Sequence, residues 1–168
     1  MKKFLALVLA ALMVLAVASC GPAATNGDET VTDEKVIKIG VFEPSTGDSA
    51  SGGKKELLGV QYANAETPTV TIGETEYKVE IVYSDNGSTT DKAPSAAATL
   101  VDKDVSIVLG SYGSGVSMAA SDTFDQAGLA AIGITCTNPG VTAGNEHYFR
   151  ICFLDPFQGS VLANFATE

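Results

Sequence analysis

Apolar residues along this chain fall into two alternating rhythms. Short, nearly unbroken apolar runs occur at Val36 to Phe42 (VIKIGVF), Val105 to Leu109, Leu129 to Ile134 and His147 to Phe153. Runs of this length and continuity read as strands of a parallel sheet covered on both faces. Between them the spacing becomes helical. Positions 116, 119, 120, 123, 124 and 127, apolar except for Thr123, mark one face of a helix, and Gly128 is its expected C′ residue. An earlier helix begins near Ser51 to Lys54, repeats Leu58, Tyr62 and Ala65, and is closed by Pro68. Thr69 to Ile72 and Glu76 to Tyr83 flank Gly73-Glu74 and predict a hairpin, whose second arm runs on to Asp85-Asn86-Gly87. Thr89 to Lys103 is an alanine-rich helix in which Pro94 fits only the first turn. Asp155-Pro156 breaks the last strand, and Gln158 to Thr167 begins another helix. Strands and helices alternating at this spacing predict an α/β, doubly wound parallel sheet with helices on both faces.

The segment from Val105 to Pro139 organises the rest. It reads strand, glycine- and serine-rich turn (Gly110 to Gly115), helix, strand, and then Thr135, Cys136 and Thr137. Parallel strands joined by a helix place their carboxyl ends on one sheet edge, so the hydroxyls of both loops face one cleft. Ser114 takes the N-cap of that helix in this reading. The turn does not fit G-x-G-x-x-G and follows the third strand, which argues against a dinucleotide loop. Ser114 is not in G-x-S-x-G, and His147 is the only histidine, so a serine hydrolase is a poor fit. No Cys/His cluster has metal-ligand spacing. Cys136 and Cys152 read as two small free thiols, although an exported protein could join them.

Composition adds a location. The net charge is −10 and basic residues do not cluster after Lys3, which argues against nucleic acid. Lys2 and Lys3 precede an apolar run from Phe4 to Ala18, shorter than the roughly 20 residues that span a bilayer, so residues 1–19 read as a signal peptide. The run ends in Val17-Ala18-Ser19-Cys20-Gly21, which resembles the bacterial lipobox and makes Cys20 the lipidation site. Residues 20–35 are polar and acidic, too poor in apolar surface to fold alone, and read as a flexible tether.

Three stretches, taken together, resemble the periplasmic substrate-binding proteins of branched-chain amino acid ABC transporters, a type I two-lobe clamp. They are IKIGVFEPSTG, VEIVYSDNGSTTDKA with the alanines after it, and IVLGSYGSGVSMAASDTFDQAGLAAIGITCTNP. The resemblance implies strand order 2-1-3-4-5 and makes 36–152 the N-terminal ligand-binding lobe. Residues 153–168 become the truncated start of a second lobe, otherwise missing, which would supply an acidic partner for the ligand's ammonium. It also implies site roles. Ser114 and Thr137 meet the ligand's carboxylate, which suits a helix N-terminus. The Thr135 carbonyl meets the α-ammonium. Gly52 stands where the family carries an aromatic in the first loop, Tyr112 offers a replacement ring, and Gly113 completes the turn.

These readings make the chain an exported, lipid-anchored, monomeric solute-binding protein. It captures an amino acid or similar small zwitterion or amide for ABC permease subunits, without a cofactor, metal or chemical step. Two other classes fit the same fold: the ligand-sensing lobe of a signalling receptor, and an enzyme on a flavodoxin-like sheet.

Overall fold

The apolar run at Val36 becomes the central strand of the sheet, β1 (Val36–Glu43). The computed structural model describes residues 35–168; the expected signal peptide, Cys20 and the tether before Lys35 lie outside the described residues. After β1 come α1 (Ala50–Glu66), β2 (Thr69–Ile72), β3 (Thr75–Asp85), α2 (Ala93–Asp102) and β4 (Ile107–Gly110). Then follow α3 (Ser114–Gln126), β5 (Ala131–Gly133), a 3-10 turn (Pro139–Val141), β6 (Tyr148–Arg150) and α4 (Asp155–Thr167). The strand order is β2-β3-β1-β4-β5-β6. All neighbours pair in parallel except β2, the antiparallel arm of the predicted hairpin. Without that arm the order is the expected 2-1-3-4-5. Winding reverses at β1, with β3 on one side and β4 on the other, so the crevice at the carboxyl ends of β1 and β4 is the place for a ligand.

Alternation along β1 sends Phe42 to one face of the sheet and Ile39, Val41 and Glu43 to the other. On the Phe42 face, Val108, Ala131 and Tyr148 join α2 (Ala93, Ala97, Leu100) and α3 (Val116, Ala120, Phe124) in one buried core. Alanines at the helix contacts bring α2 close to the strands. Phe124 meets Phe42 edge-on, with ring centroids 5.5 Å apart, and lies 6.5 Å from Tyr148. The other face is covered by α1, which leaves an apolar groove of about 510 Å³ between Val60, Ile39, Ile81, Leu109 and Ile134.

Several expectations are corrected. Leu58 and Tyr62, read as a helical repeat, are 65% and 67% exposed; α1 buries Gly53 against Pro44 instead. A helix lying over a sheet edge needs only the turn that touches it to be apolar, so periodicity alone misplaced its packed side. The third, fourth and fifth parallel strands are shorter than their apolar runs, because the flanking residues turn away to form the loops at either sheet edge. Asp155-Pro156 does not precede the last helix but opens α4, since proline at N1 or N2 loses no helical hydrogen bond. α4 has no buried residue. Lys35, assigned to the tether, already lends its carbonyl to the Lys78 N–H at 2.9 Å. Among the described residues no helix is long and apolar enough to cross a membrane.

Candidate functional site

The site is built from three loops at the carboxyl edge of the sheet, and long-range hydrogen bonds fix each of them. Asp85, the last residue of β3, accepts from the backbone N–H groups of Ser45 (2.9 Å) and Gly87 (2.9 Å) and from the Thr46 hydroxyl (2.8 Å). Burial alone would raise its pKa, but these donors outweigh burial and hold the carboxyl well below its usual range. The loop after β1 is thereby clamped to the end of β3. Asn86, fully buried, donates to the Phe42 carbonyl (3.3 Å) and the Ser111 hydroxyl (2.9 Å), tying the ends of β1, β3 and β4 together. Arg150 on β6 pins the third loop, donating to the carbonyls of Cys136 (3.0 Å), Asn138 (2.9 Å) and Pro139 (3.2 Å) and to the Thr142 hydroxyl (2.8 Å).

On this scaffold the predicted residues fall into two adjoining groups. The first brings together the loops after β4 and β5, as expected from the chain's parallel topology. Ser114 is not the N-cap: that position is Gly113, in extended conformation, and Ser114 is the first helical residue. Its Oγ accepts from the Asn138 N–H at 3.2 Å, bridging to the loop that carries Thr137. With no side chain capping α3, its first-turn N–H groups remain available to an anion. Thr137 is half-buried, and its carbonyl accepts from Asp155 N–H at 3.0 Å, anchoring the start of α4.

The second group surrounds a cavity of about 430 Å³ lined by Gly52, Glu56, Tyr112 and Thr135. The Tyr112 ring lies so closely over Gly52 that a Cβ there would strike its Cζ and Cε atoms. Tyr112 thus occupies the space that any side chain at 52 would take. The Thr135 hydroxyl donates to Glu56.

Glu43 and Glu56 were not singled out in the sequence, and they carry the site's least ordinary chemistry. Glu43 is fully buried at the end of β1. Its Oε2 accepts from the Tyr112 N–H at 2.7 Å, across the switch point. Its Oε1, like Oε2 of Glu56, is a buried atom with no hydrogen-bond partner. Burial first, and then the neighbouring Glu56, raise the Glu43 pKa far above the carboxylate range; the Tyr112 N–H only partly offsets this. Gly110 makes the arrangement possible: a Cβ there would fall on the Phe42 carbonyl and the Glu43 carboxyl. The one sequence signal for Glu43 was a glutamate closing a central strand that is apolar but for Lys38.

His147 is not brought to Ser114. It pairs with Asp125 at 2.7 Å, near the far end of α3. Ser114 opens that helix, about a dozen residues and so roughly 18 Å away. Cys136 and Cys152 are free thiols, and among the described residues no His/Cys/Asp/Glu group could hold a metal ion.

Residues 36–168 match the family model described as periplasmic binding protein. The chain belongs to this family. It is 36% identical over 131 residues to an amino acid binding protein of Pseudomonas aeruginosa, covering 77% of this chain and 35% of that one. It is 32% identical to a Leu/Ile/Val-binding protein homolog of Brucella abortus, covering 79% of this chain and 36% of the relative. Among solved structures it superposes on a leucine binding protein from Thermotoga maritima with a TM-score of 0.72 and 34% identity, covering 79% of this chain and 37% of that one. A branched-chain amino acid transporter substrate binding protein from Streptococcus pneumoniae, in complex with isoleucine, gives 0.71 and 33%, covering 80% and 38%. The periplasmic binding protein lobe seen here thus spans a little over a third of the length of the relatives it matches. Its α/β fold is the parallel-sheet lobe of that family.

Proposed function

We propose that the protein is an extracytoplasmic solute-binding component of an ABC transporter that captures an amino acid, performs no chemistry and hands its ligand to permease subunits. The observation that carries this reading is the meeting of Ser114 with the Thr137–Asn138 loop at the uncapped N-terminus of α3, beside the switch point. In this reading the ligand's carboxylate lies at that helix end, against the hydroxyls of Ser114 and Thr137. Its ammonium reaches the Thr135 carbonyl. Its side chain lies along Tyr112, with Gly52 and Gly113 leaving the ring and the turn room to close around it. The relatives' names favour a branched-chain ligand. Export by residues 1–19, two acyl chains on Cys20 as a stable anchor, and a monomeric state complete the proposal.

A thermal-shift screen against the amino acids tests it, because a ligand that binds only the folded state raises Tm. The expected outcome is a rise with a branched-chain amino acid, confirmed by titration calorimetry; a flat response to every amino acid would overturn the reading. Fatty-acid labelling in a bacterial host tests the anchor: label on the wild type should be lost in Cys20→Ser.

A further inference from the structure

We propose that Cys136 and Cys152 form a redox-sensitive pair, whose oxidation to a disulfide fastens the loop after β5 to the segment that leads into α4. The pair is a modification site of the fold itself and needs neither ligand nor permease.

Register and alternation bring the two thiols to one face of the sheet. Gly133 on β5 pairs with Arg150 on β6, and the Ile151 N–H donates to the Gly133 carbonyl at 3.1 Å, so the two segments still run side by side one residue past β6. The chain after Gly133 folds back over it: a Cβ at Gly133 would strike Sγ of Cys136, and the same point lies 3.7 Å from Cε1 of Tyr148. The Cys136 thiol therefore sits on the face that carries Tyr148, within the buried core. Side chains alternate along β6 and its continuation. Tyr148 belongs to the core, whereas Ile151 lines the groove on the opposite face. Cys152, the next residue, thus returns to the core face, which is the face of Cys136. Neighbouring strands lie about 4.8 Å apart, so one strand spacing separates the two backbones. Burial raises the Cys136 pKa and a charge on Cys152 adds to the rise, as two sulfurs in electrostatic reach of each other require.

Two hydrogen bonds already hold these segments together. Arg150 donates to the Cys136 carbonyl at 3.0 Å, and the Asp155 N–H donates to the Thr137 carbonyl at 3.0 Å. Oxidation therefore adds a covalent bond to a contact that exists. The half-buried Cys152 is the thiol that a solvent oxidant reaches, and the fully buried Cys136, with its raised pKa, is the resolving one. A low-molecular-weight or protein disulfide serves as oxidant. Cys152 Sγ, losing its proton, attacks one oxidant sulfur and releases the other as a thiol, leaving a mixed disulfide. Cys136 Sγ then attacks Cys152 Sγ, and its proton passes to the departing thiolate. Two cysteine thiols lose two electrons and two protons, and the oxidant disulfide becomes two thiols. Export, proposed above, places the pair in an oxidising compartment; the cross-link itself depends only on the fold.

Oxidised glutathione added to the folded, reduced full chain tests this. Trypsin cuts after Lys103 and Arg150, so Cys136 and Cys152 fall in the separate peptides 104–150 and 151–168, and Cys20 in a third. A non-reducing digest should yield 104–150 joined to 151–168, lighter than their sum by two hydrogen atoms, and dithiothreitol should separate them. The bond closes the loop between residues 136 and 152, so the oxidised protein should melt about 5–10 °C above the reduced one. Amides of residues 134–138 should exchange with deuterium about threefold or more slowly once the bond is made. Cys152→Ser should lose the joined peptide and both differences; it alters a half-buried side chain and carries the control if Cys136→Ser, altered in the core, does not fold. Peptides that stay separate, or that join only after the chain is first unfolded in urea, overturn the proposal. A joined peptide that shifts neither Tm nor exchange overturns the fastening of the loop.

Discussion

Phe42 and Glu43 are neighbours on β1 and point to opposite faces of the sheet, and those faces are built differently. The Phe42 face is closed by α2 and α3 over Val108, Ala131, Phe124 and Tyr148. The Glu43 face keeps an apolar groove under α1 and ends in the buried Glu43 near an open cavity lined by the half-buried Glu56. The first arrangement favours stability, since it fills space with apolar atoms and needs no partner. The second holds polar groups in place for something that arrives. One strand serves both because its side chains alternate.

Breaking the closed face should give the largest effect. Phe124→Ala removes a ring that meets Phe42 edge-on and lies beside Tyr148, and should cost about 3–5 kcal/mol in denaturant unfolding; a loss near zero would mean that the core is not where stability resides. On the binding side, Ser114→Ala and Thr137→Val should each raise Kd about tenfold with the fold intact, since hydrogen bonds to a charged group contribute about 1.5–3 kcal/mol. Unchanged titration curves in both would place the carboxylate elsewhere.

Asp85 gives a smaller, pH-dependent effect. Its pKa in the folded protein is depressed, so its contribution is present above the unfolded-state value and is lost as pH falls through the acid range. Asp85→Asn should lower Tm at neutral pH, and the gap to wild type should close below about pH 3; a gap independent of pH would mean that the loop clamp does not depend on charge. The smallest effect should come from the open face. Leu109→Ala should cost about 1 kcal/mol, less than the roughly 2 kcal/mol of Val108→Ala next to it, because Leu109 borders the groove while Val108 is wholly enclosed. The reverse order would show that the groove face is as tightly packed as the core.

Much of the framework was legible in the residues. The alternation of apolar runs with helical spacing is set locally, so strand order by sequence, the hairpin about Gly73-Glu74, Pro94 in a first turn and Gly128 with φ +62° after α3 all match expectation. The convergence of Ser114 with the loop after β5 followed from the handedness of parallel connections. Other features were hidden. The exposed repeat on α1 is apolar by period but lies away from the sheet, and period alone does not say which side another element covers. Arg150 carries no local signal of its role, and only the folded loop around it shows four acceptors converging on its guanidinium.

The sequence by itself determined the class of fold, the order of its elements and the edge at which the loops gather. Those depend on hydrophobic periodicity, backbone chirality and turn residues, each set within a few positions along the chain. Tertiary structure alone decided the chemistry of the crevice. Tyr112 reaches Glu43 across 69 residues, and Thr135 reaches Glu56 across 79. A carboxyl's proton depends on which groups and how much water surround it in space. No local pattern encodes that surrounding, so the burial that raises the pKa of Glu43, and the ring of Tyr112 resting on Gly52, became visible only once the chain was folded.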